Sequence, residues 1–397
     1  MLDELIVRER SALEVLLVFL KLGVTSFGGP IAHIGYFREE LVVRRRWVDE
    51  ATYTDLVALC QFLPGPASSQ VGFSLGLIRA GYWGGLAAWT GFTLPSAVLL
   101  TAFAYGAEGL GGPLGQGVIH GLKLVAVAIV AQAVWGMARS FCPDRQRASI
   151  ACIAALLILL SNSPVTQIGT ILLGGIAGAW LCRAAVPASL GTFGTAVSRR
   201  VGTAALTIFC LLLIALPALA RGSQGVALFD AFYRSGALVF GGGHVVLPLL
   251  SKAFVTPGWV SEDAFLAGYG AAQAVPGPLF TFAAYLGAVV TPGPQGIAGA
   301  ALGLAGIFLP GILVLLGALP FWDVFRQRVG AQAIMRGVNA AVVGLLGAAL
   351  YNPLWTSSVK SAGDLAVALL GFVLLTAWRT PPWVIVILGA LGGVWLS

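Results

Sequence analysis

Long uninterrupted apolar runs dominate the chain. Gly84–Tyr105, Gly117–Ala138, Val201–Ala220, Gly296–Leu319 and Gln332–Tyr351 reach or approach the roughly 20 residues that carry a helix across a bilayer. Polarity does not alternate along them, as it would in the strands of a transmembrane β-barrel. Other apolar stretches are broken by Gly and Pro, at Phe27-Gly28-Gly29-Pro30, Pro64-Gly65-Pro66, Phe240-Gly241-Gly242-Gly243 and Pro276-Gly277-Pro278. The pattern predicts an all-α polytopic membrane protein with roughly 10 to 13 membrane segments, some of them broken or re-entrant.

Composition agrees. Of 397 residues, 58% are hydrophobic and only 10% charged, and the mean hydropathy is +0.91. The net charge of +7 would point to nucleic acid in a soluble protein. In a membrane protein it marks loops that stay cytoplasmic, so no nucleic-acid role is expected. The cysteines Cys60, Cys142, Cys152, Cys182 and Cys210 are scattered without a Cys-x-x-Cys pair and read as small packing residues, with no metal site or disulfide framework. The opening "MLDELIVRER" lacks the apolar core of a cleavable signal. No phosphate-loop motif appears, so ATP hydrolysis is not the expected driving force.

The broken stretches repeat in order. "FLKLGVTSFGG" (Phe19–Gly29) matches "FYRSGALVFGG" (Phe232–Gly242), pairing Lys21 with Arg234. Trp47 then matches Trp259, and "QFLPGP" (Gln61–Pro66) matches "QAVPGP" (Gln273–Pro278). "FTLP" ending at Pro95 resembles "IFLP" ending at Pro310, and "VIHGLKLVAV" (Val118–Val127) resembles "IMRGVNAAVV" (Ile334–Val343). The chain therefore divides into an N-terminal repeat, 1–183, a linker with one extra transmembrane helix, 184–225, and a C-terminal repeat, 226–397.

One extra helix between two even-numbered halves makes the second half enter from the opposite side, the inverted-repeat plan of secondary transporters. Basic residues test this. Arg44–Arg46, Arg139, Arg145, Arg147, Arg183, Arg199, Arg200, Arg326 and Arg328 share one face only if the two broken segments of each half are re-entrant hairpins. The alternative is about thirteen full crossings with one basic loop on the wrong side.

Non-helical backbone at membrane depth is tolerated where it lines a cavity or is buried in protein. Gly28, Gly29, Pro30, Pro64, Gly65, Pro66, Gly241, Gly242, Gly243, Pro276, Gly277 and Pro278 are thus expected to line a cavity, simple kinks or close-packing glycines being the plainer account. Each break also frees the N–H groups of a half-helix N-terminus, which favour anions. Lys21 and Arg234 either face that cavity or snorkel and pair, Arg234 with Asp230 and Lys21 less readily with Glu14. Gln61 and Gln273 can donate to an oxyanion or bond between helices. Ser68, Ser69 and Gln70 follow the first Pro-Gly-Pro, whereas Phe280, Thr281 and Phe282 stand in the second half, so a lopsided site is expected. His33, His244 and Asp55 are candidates for moving protons, against interfacial or solvated positions.

The stretches "FLKLGVTSFGGP", "RRRWVDE", "QFLPGPASSQ" and "FGGGHVVLPLL…QAVPGP" closely resemble the chromate ion transporter family in its long, two-domain form. The resemblance covers nearly the whole chain. It implies a multi-pass protein of the prokaryotic inner (plasma) membrane that exports chromate, driven by the proton motive force, with sulfate as a competing analogue. Carried over from the family's blocks are Glu14, Lys21, Phe27, Gly28, Gly29, Pro30, Trp47, Gln61, Pro64, Gly65 and Pro66. The second half departs from them, with Gly243 at the Pro30 position and Ala227 at the Glu14 position.

The expected function is therefore a secondary transporter of a tetrahedral oxyanion, chromate first and sulfate second, with no cofactor and no metal. Substrate would meet Lys21, Phe27, Ser68, Ser69, Arg234, Phe240, His244, Gln61, Gln273 and the Gly-Pro breaks, and Glu14, His33 and Asp55 would carry protons. Alternating access would come from one half rocking against the other. A passive anion channel is the competing reading, and a chromate-reducing enzyme lacks flavin, haem or metal spacings. A homodimer is one assembly left open.

Overall fold

The computed structural model describes residues 11–107, 112–161, 164–183, 197–240, 243–322 and 328–396. It is helical throughout, with no strand among the described residues. Five helices are long and apolar enough to cross a membrane, Ala67–Gly106, Leu114–Phe141, Arg199–Gly222, Gly296–Phe321 and Val329–Ser358. Each contains one of the runs read from hydropathy.

Helix α1 (Ala12–Thr25) begins where the Ser11 hydroxyl accepts from the Leu13 amide at 3.2 Å. It buries Val15, Val18, Phe19 and Leu22, spaced for one helical face. The helix ends at Ser26 in extended backbone, and Gly28 and Gly29 take φ of 100° and 79°. Only glycine adopts that conformation cheaply. Helix α2 (Gly29–Phe37) returns from this break and runs on as a π-helical stretch, Arg38–Arg44.

Helix α3 (Glu50–Phe62), capped by Asp49, leads to the second break at Pro64-Gly65-Pro66, where Gly65 has φ 116°. Helix α4 (Ala67–Ala107) is bent sharply at Ala80 and Gly81, giving a short arm and a long one. Helices α5 (Pro113–Phe141), α6 (Arg145–Leu160) and α7 (Pro164–Leu181) complete the first half, and α8 (Arg199–Leu219) is the extra helix.

The second half repeats these elements. Helix α9 (Gln224–Ala237) matches α1, and α10 (Val246–Leu250) again continues as a π-helical stretch, Ser251–Val255. Helix α11 (Glu262–Ala272) ends before Pro276-Gly277-Pro278, where Gly277 has φ 101°. Helices α12 (Phe282–Val289) and α13 (Gly296–Ala318) divide what α4 joins, and α14 (Val329–Ala349), α15 (Ala362–Thr376) and α16 (Pro382–Leu396) follow as α5, α6 and α7 do.

Glycines set how the helices meet. A Cβ on Gly23 would sit 2.6 Å from the Gly91 carbonyl, so α1 lies backbone-to-backbone on α4, and Gly236 presses α9 onto α13 at Ile307 in the same way. More informative is an exchange between halves. Gly121 of α5 abuts Gly389 and Gly393 of α16, while Gly337 of α14 abuts Gly174 and Gly178 of α7. The last helix of each half thus packs on a long helix of the other, and α6 and α15 follow, packing on α14 and α5. The two halves are interlocked.

Contacts between helix ends define two levels. Glu14, Arg45 and Arg79 meet at the start of α1, the end of the first π-helical stretch and the end of the short arm of α4. At the other end of the long arm, Tyr105 lies against Gly296. Other contacts link the first half of α5 to α11 through Lys123 and Asp263, and to α15 through His120 and Asp364.

Candidate functional site

The four chain breaks converge. The Gly65 amide donates to the Val239 carbonyl at 2.7 Å, and the Gly277 amide donates to the Ser26 carbonyl at 2.9 Å. In the repeat register Ser26 corresponds to Val239 and Gly65 to Gly277. Each Pro-Gly-Pro turn therefore clasps the residue before the aromatic-glycine break of the other half. A Cβ on Gly65 would lie 2.9 Å from the Gly311 Cα, and one on Gly277 would lie 2.8 Å from the Ser96 hydroxyl. Gly243 and its counterpart Pro30 approach each other directly, 3.4 Å from a Gly243 Cβ to the Pro30 ring. Equivalent residues of the two halves thus lie next to each other.

Around this junction several buried hydrogen-bonding atoms have no protein partner among the described residues: Ser26 Oγ, His33 Nε2, Ser69 Oγ, Thr93 Oγ1 and Gln273 Nε2. Leaving each unpaired costs about 1–3 kcal/mol. His33 is 1% exposed, its Nδ1 is 3.3 Å from the Ser68 hydroxyl, and its ring stands edge-on to Phe92. Thr93 follows Phe92 on α4, and the Phe92 carbonyl lies 3.2 Å from a Gly277 Cβ. Ser26 and Gly277 are bonded, so His33, Ser26 and Thr93 gather beside one break. On the far side Gln273 stands beside the Tyr269 hydroxyl, which bonds His244 Nδ1 at 2.8 Å. Gly28 caps α2 without any side-chain bond, leaving first-turn amides free of a cap.

Gln70 has a different task from oxyanion donation. Its Nε2 donates to the Pro64 and Gly311 carbonyls, both at 2.9 Å. Both amide hydrogens are spent holding the Pro-Gly-Pro turn to α13. Only the Oε1 acceptor remains, and that atom repels an anion.

The two expected cations are tied to carboxylates. Lys21 Nζ lies 3.7 Å from Glu40, with its side chain 55% exposed. Glu40 is buried and also takes Arg44 and Arg45, each at 2.8 Å. The π-helical stretch carries Glu40 to this position. Arg234 pairs with Asp230 at 2.8 Å and donates to the Leu213 carbonyl of α8 at 3.2 Å. Glu14 bonds Arg79 at 3.0 Å and lies 3.8 Å from Arg45, and Arg79 stacks over Trp47. Lys21 and Glu14 thus belong to one ionic cluster with Glu40, Arg45 and Arg79.

Gly65, Pro66, Ser68, Ser69, Gly243, Pro276 and Pro278 are buried at the junction, and Pro64, Phe27, Gly29, Phe240, Gly277 and Gln273 are half-buried. Gln61 is exposed on α3 and is no mirror of Gln273. Asp55 is half-buried on the same helix. Gly241 and Gly242 lie outside the described residues. Ser26, Thr93, Ser96 and Gly311 were not singled out by the sequence. Thr93 and Gly311 flank the "FTLP" and "IFLP" prolines, which was the available signal.

The junction offers hydroxyl, amide, imidazole and backbone donors in a buried setting, the donor set of an anion site built from dipoles. Among the described residues no His/Cys/Asp/Glu group is arranged to hold a metal ion. The family model for chromate transporters matches residues 13–179 and again 226–394. The chain is similar to the probable chromate transport protein of Synechococcus elongatus, 28% identical over 95% of this chain and 93% of that protein. It is 29% identical to the chromate transport protein of Pseudomonas aeruginosa over 94% of this chain and 89% of that one. The chromate transport protein of Cupriavidus metallidurans is 26% identical over 91% and 86%. No solved structure matches. With its family model matched in both halves across the very breaks that meet at the junction, the chain belongs to the chromate transporter family.

Proposed function

We propose that this protein is a proton-coupled carrier that exports chromate across the inner membrane, binding the dianion where the four breaks meet. The reciprocal bonds Gly65–Val239 and Gly277–Ser26 carry the proposal, because they bring both halves' free half-helix ends and unpaired donors to one place. Ser26, Thr93, Ser69 and Gln273 supply neutral donors, and the Gly28-capped end of α2 adds backbone amides. Neutral dipoles suit a carrier, which must bind a dianion firmly enough to select it and weakly enough to release it.

The halves are inverted in this proposal. Arg79 ends the first hairpins and Tyr105, beyond the long arm of α4, meets the start of α13. At about 1.5 Å per residue that arm spans the bilayer, so the hairpins of the two halves open to opposite faces. Lys21 and Arg234 then stand one toward each face, drawing dianions in before the central donors take them. The basic residues Arg44–Arg46, Arg139, Arg145, Arg147 and Arg199 gather on the first face, which is the cytoplasmic one.

Interlocked packing speaks against one half rocking on the other, since that would pull apart the glycine contacts of α5 with α16 and α7 with α14. It favours movement of the helices α1–α3 and α9–α10 against those two outer bundles, with α11 held on α5 where Gly270 meets the Leu122 carbonyl. The closed junction, with Ser26 fully buried and His33 nearly so, favours a carrier over a passive channel. Export by a coupled carrier is tested by chromate uptake into inverted vesicles with and without an imposed proton gradient. Gradient-stimulated accumulation is expected, and uptake indifferent to the gradient overturns coupling. Sulfate shares size and charge with chromate, so sulfate inhibition of that uptake is expected, and its strength measures how selective the donors are.

A further inference from the structure

The first half of α5 holds a charge that the central site does not use. Lys123 is 9% exposed, yet its Nζ reaches Asp263 Oδ1 at 2.5 Å. The carboxylate is on the outside of this pair, with 71% of its side chain exposed. Asp263 stands in the first turn of α11, whose Ser261 cap is bonded independently to the Ala264 amide. One helix of this contact cannot slide freely, because a Cβ on Gly270 of α11 would lie 2.5 Å from the Leu122 carbonyl of α5.

The matching place in the other repeat is neutral. Asn339 stands where Lys123 does, with its buried Oδ1 unpaired, and Ala51 stands where Asp263 does. Among the described residues a lysine is therefore kept inside in one repeat and not at the matching place of the other, and a tethered surface carboxylate neutralises it. One turn earlier, His120 is occupied by Asp364 at 2.6 Å, so it does not compete for Asp263.

We propose that Lys123 is a second oxyanion site, where α5 packs on α11, the helix that leads to the Pro276-Gly277-Pro278 break, and that Asp263 occupies it as a built-in stand-in for the substrate. An exposed aspartate leaves by a side-chain rotation. The buried ammonium cannot follow it into water, and an uncompensated buried cation is costly. At equilibrium the tethered carboxylate holds the position, and a passing tetrahedral dianion occupies it only while Asp263 is turned away. Asp263 returns when the anion moves on, so the site passes substrate along rather than trapping it. This rests on the oxyanion reading of the substrate given above.

The test is equilibrium binding of chromate to the purified full chain in detergent. Asp263→Asn is expected to bind one more chromate per chain than wild type, and adding Lys123→Gln is expected to remove that increment. Asp263→Ser serves equally should Asp263→Asn fold poorly. An unchanged stoichiometry in folded Asp263→Asn and Asp263→Ser, or an increment that survives Lys123→Gln, overturns the proposal. Wild-type protein that binds no chromate counts against the central site instead, and the Lys123-dependent increment is still read on its own.

Discussion

Gly65 donates its amide to Val239 of the opposite half at 2.7 Å, and no side chain can be added to that glycine without disturbing the contact. The bond and its partner at Gly277 and Ser26 turn four separate helix breaks into a single junction.

Gly65→Ala is therefore expected to abolish transport. An L-residue at φ 116° is strained by roughly 1–2 kcal/mol, and its Cβ would meet the Gly311 backbone at 2.9 Å. Gly277→Ala is expected to lose less, because its Cβ meets the Ser96 hydroxyl, a side chain able to rotate. Chromate flux per unit of membrane-inserted protein checks the order.

Gln70→Leu should lower stability more than any serine change at the junction. It leaves the Pro64 carbonyl without its Gln70 partner and takes the second bond from the Gly311 carbonyl of α13, and a buried group left unpaired costs about 1–3 kcal/mol. Thermal denaturation in detergent reads the loss, and a melting temperature equal to wild type contradicts the staple.

Lys21→Ala should reduce transport strongly while leaving the melting temperature nearly unchanged. An exposed lysine at 3.7 Å from Glu40 contributes about 0–1 kcal/mol. Glu40→Gln should do the opposite to stability, since Glu40 is buried and anchors Arg44 and Arg45 at 2.8 Å. Normal flux in Lys21→Ala would show that Lys21 serves only the ionic cluster.

One pH effect lies outside the membrane. Asp144 caps α6, and the Arg147 amide at 2.9 Å, helped by the Arg147 side chain, holds its carboxyl below the usual carboxylate range. A folded pKa below the unfolded one gives stability that is present above pH about 3.9 and is lost as pH falls through the folded value. Asp144→Asn keeps a capping side chain but removes the titration. Its melting temperature should fall less steeply than wild type in the acid range, measured against pH.

Much of the architecture was legible because the bilayer writes it in length and composition. The apolar runs became the crossing helices, and the repeated Gly-Pro breaks fell where the helices stop. The breaks could be aligned from sequence, but their meeting could not be seen, because Gly65 and Val239 are far apart in the chain. In the sequence Lys21 is poised between cavity and interface. Its direction depended on Glu40, and Glu40 is placed by a π-helical stretch that periodicity does not reveal. The same limit hid the exchange of α7 and α16 between halves, which rests on glycines at non-local crossings. Ser26 escaped notice because its counterpart is Val239, so the repeat that exposed the glycines concealed the hydroxyl.

The central claim is that chromate binds where the breaks converge, on neutral donors. It is tested most directly by chromate affinity of the purified chain carrying Ser26→Ala, Thr93→Val or Gln273→Leu. Each variant loses one buried donor, and each is expected to weaken binding by about three- to tenfold, the equivalent of one net hydrogen bond, with folding preserved. Wild-type affinity in all three would place the anion elsewhere and contradict the account.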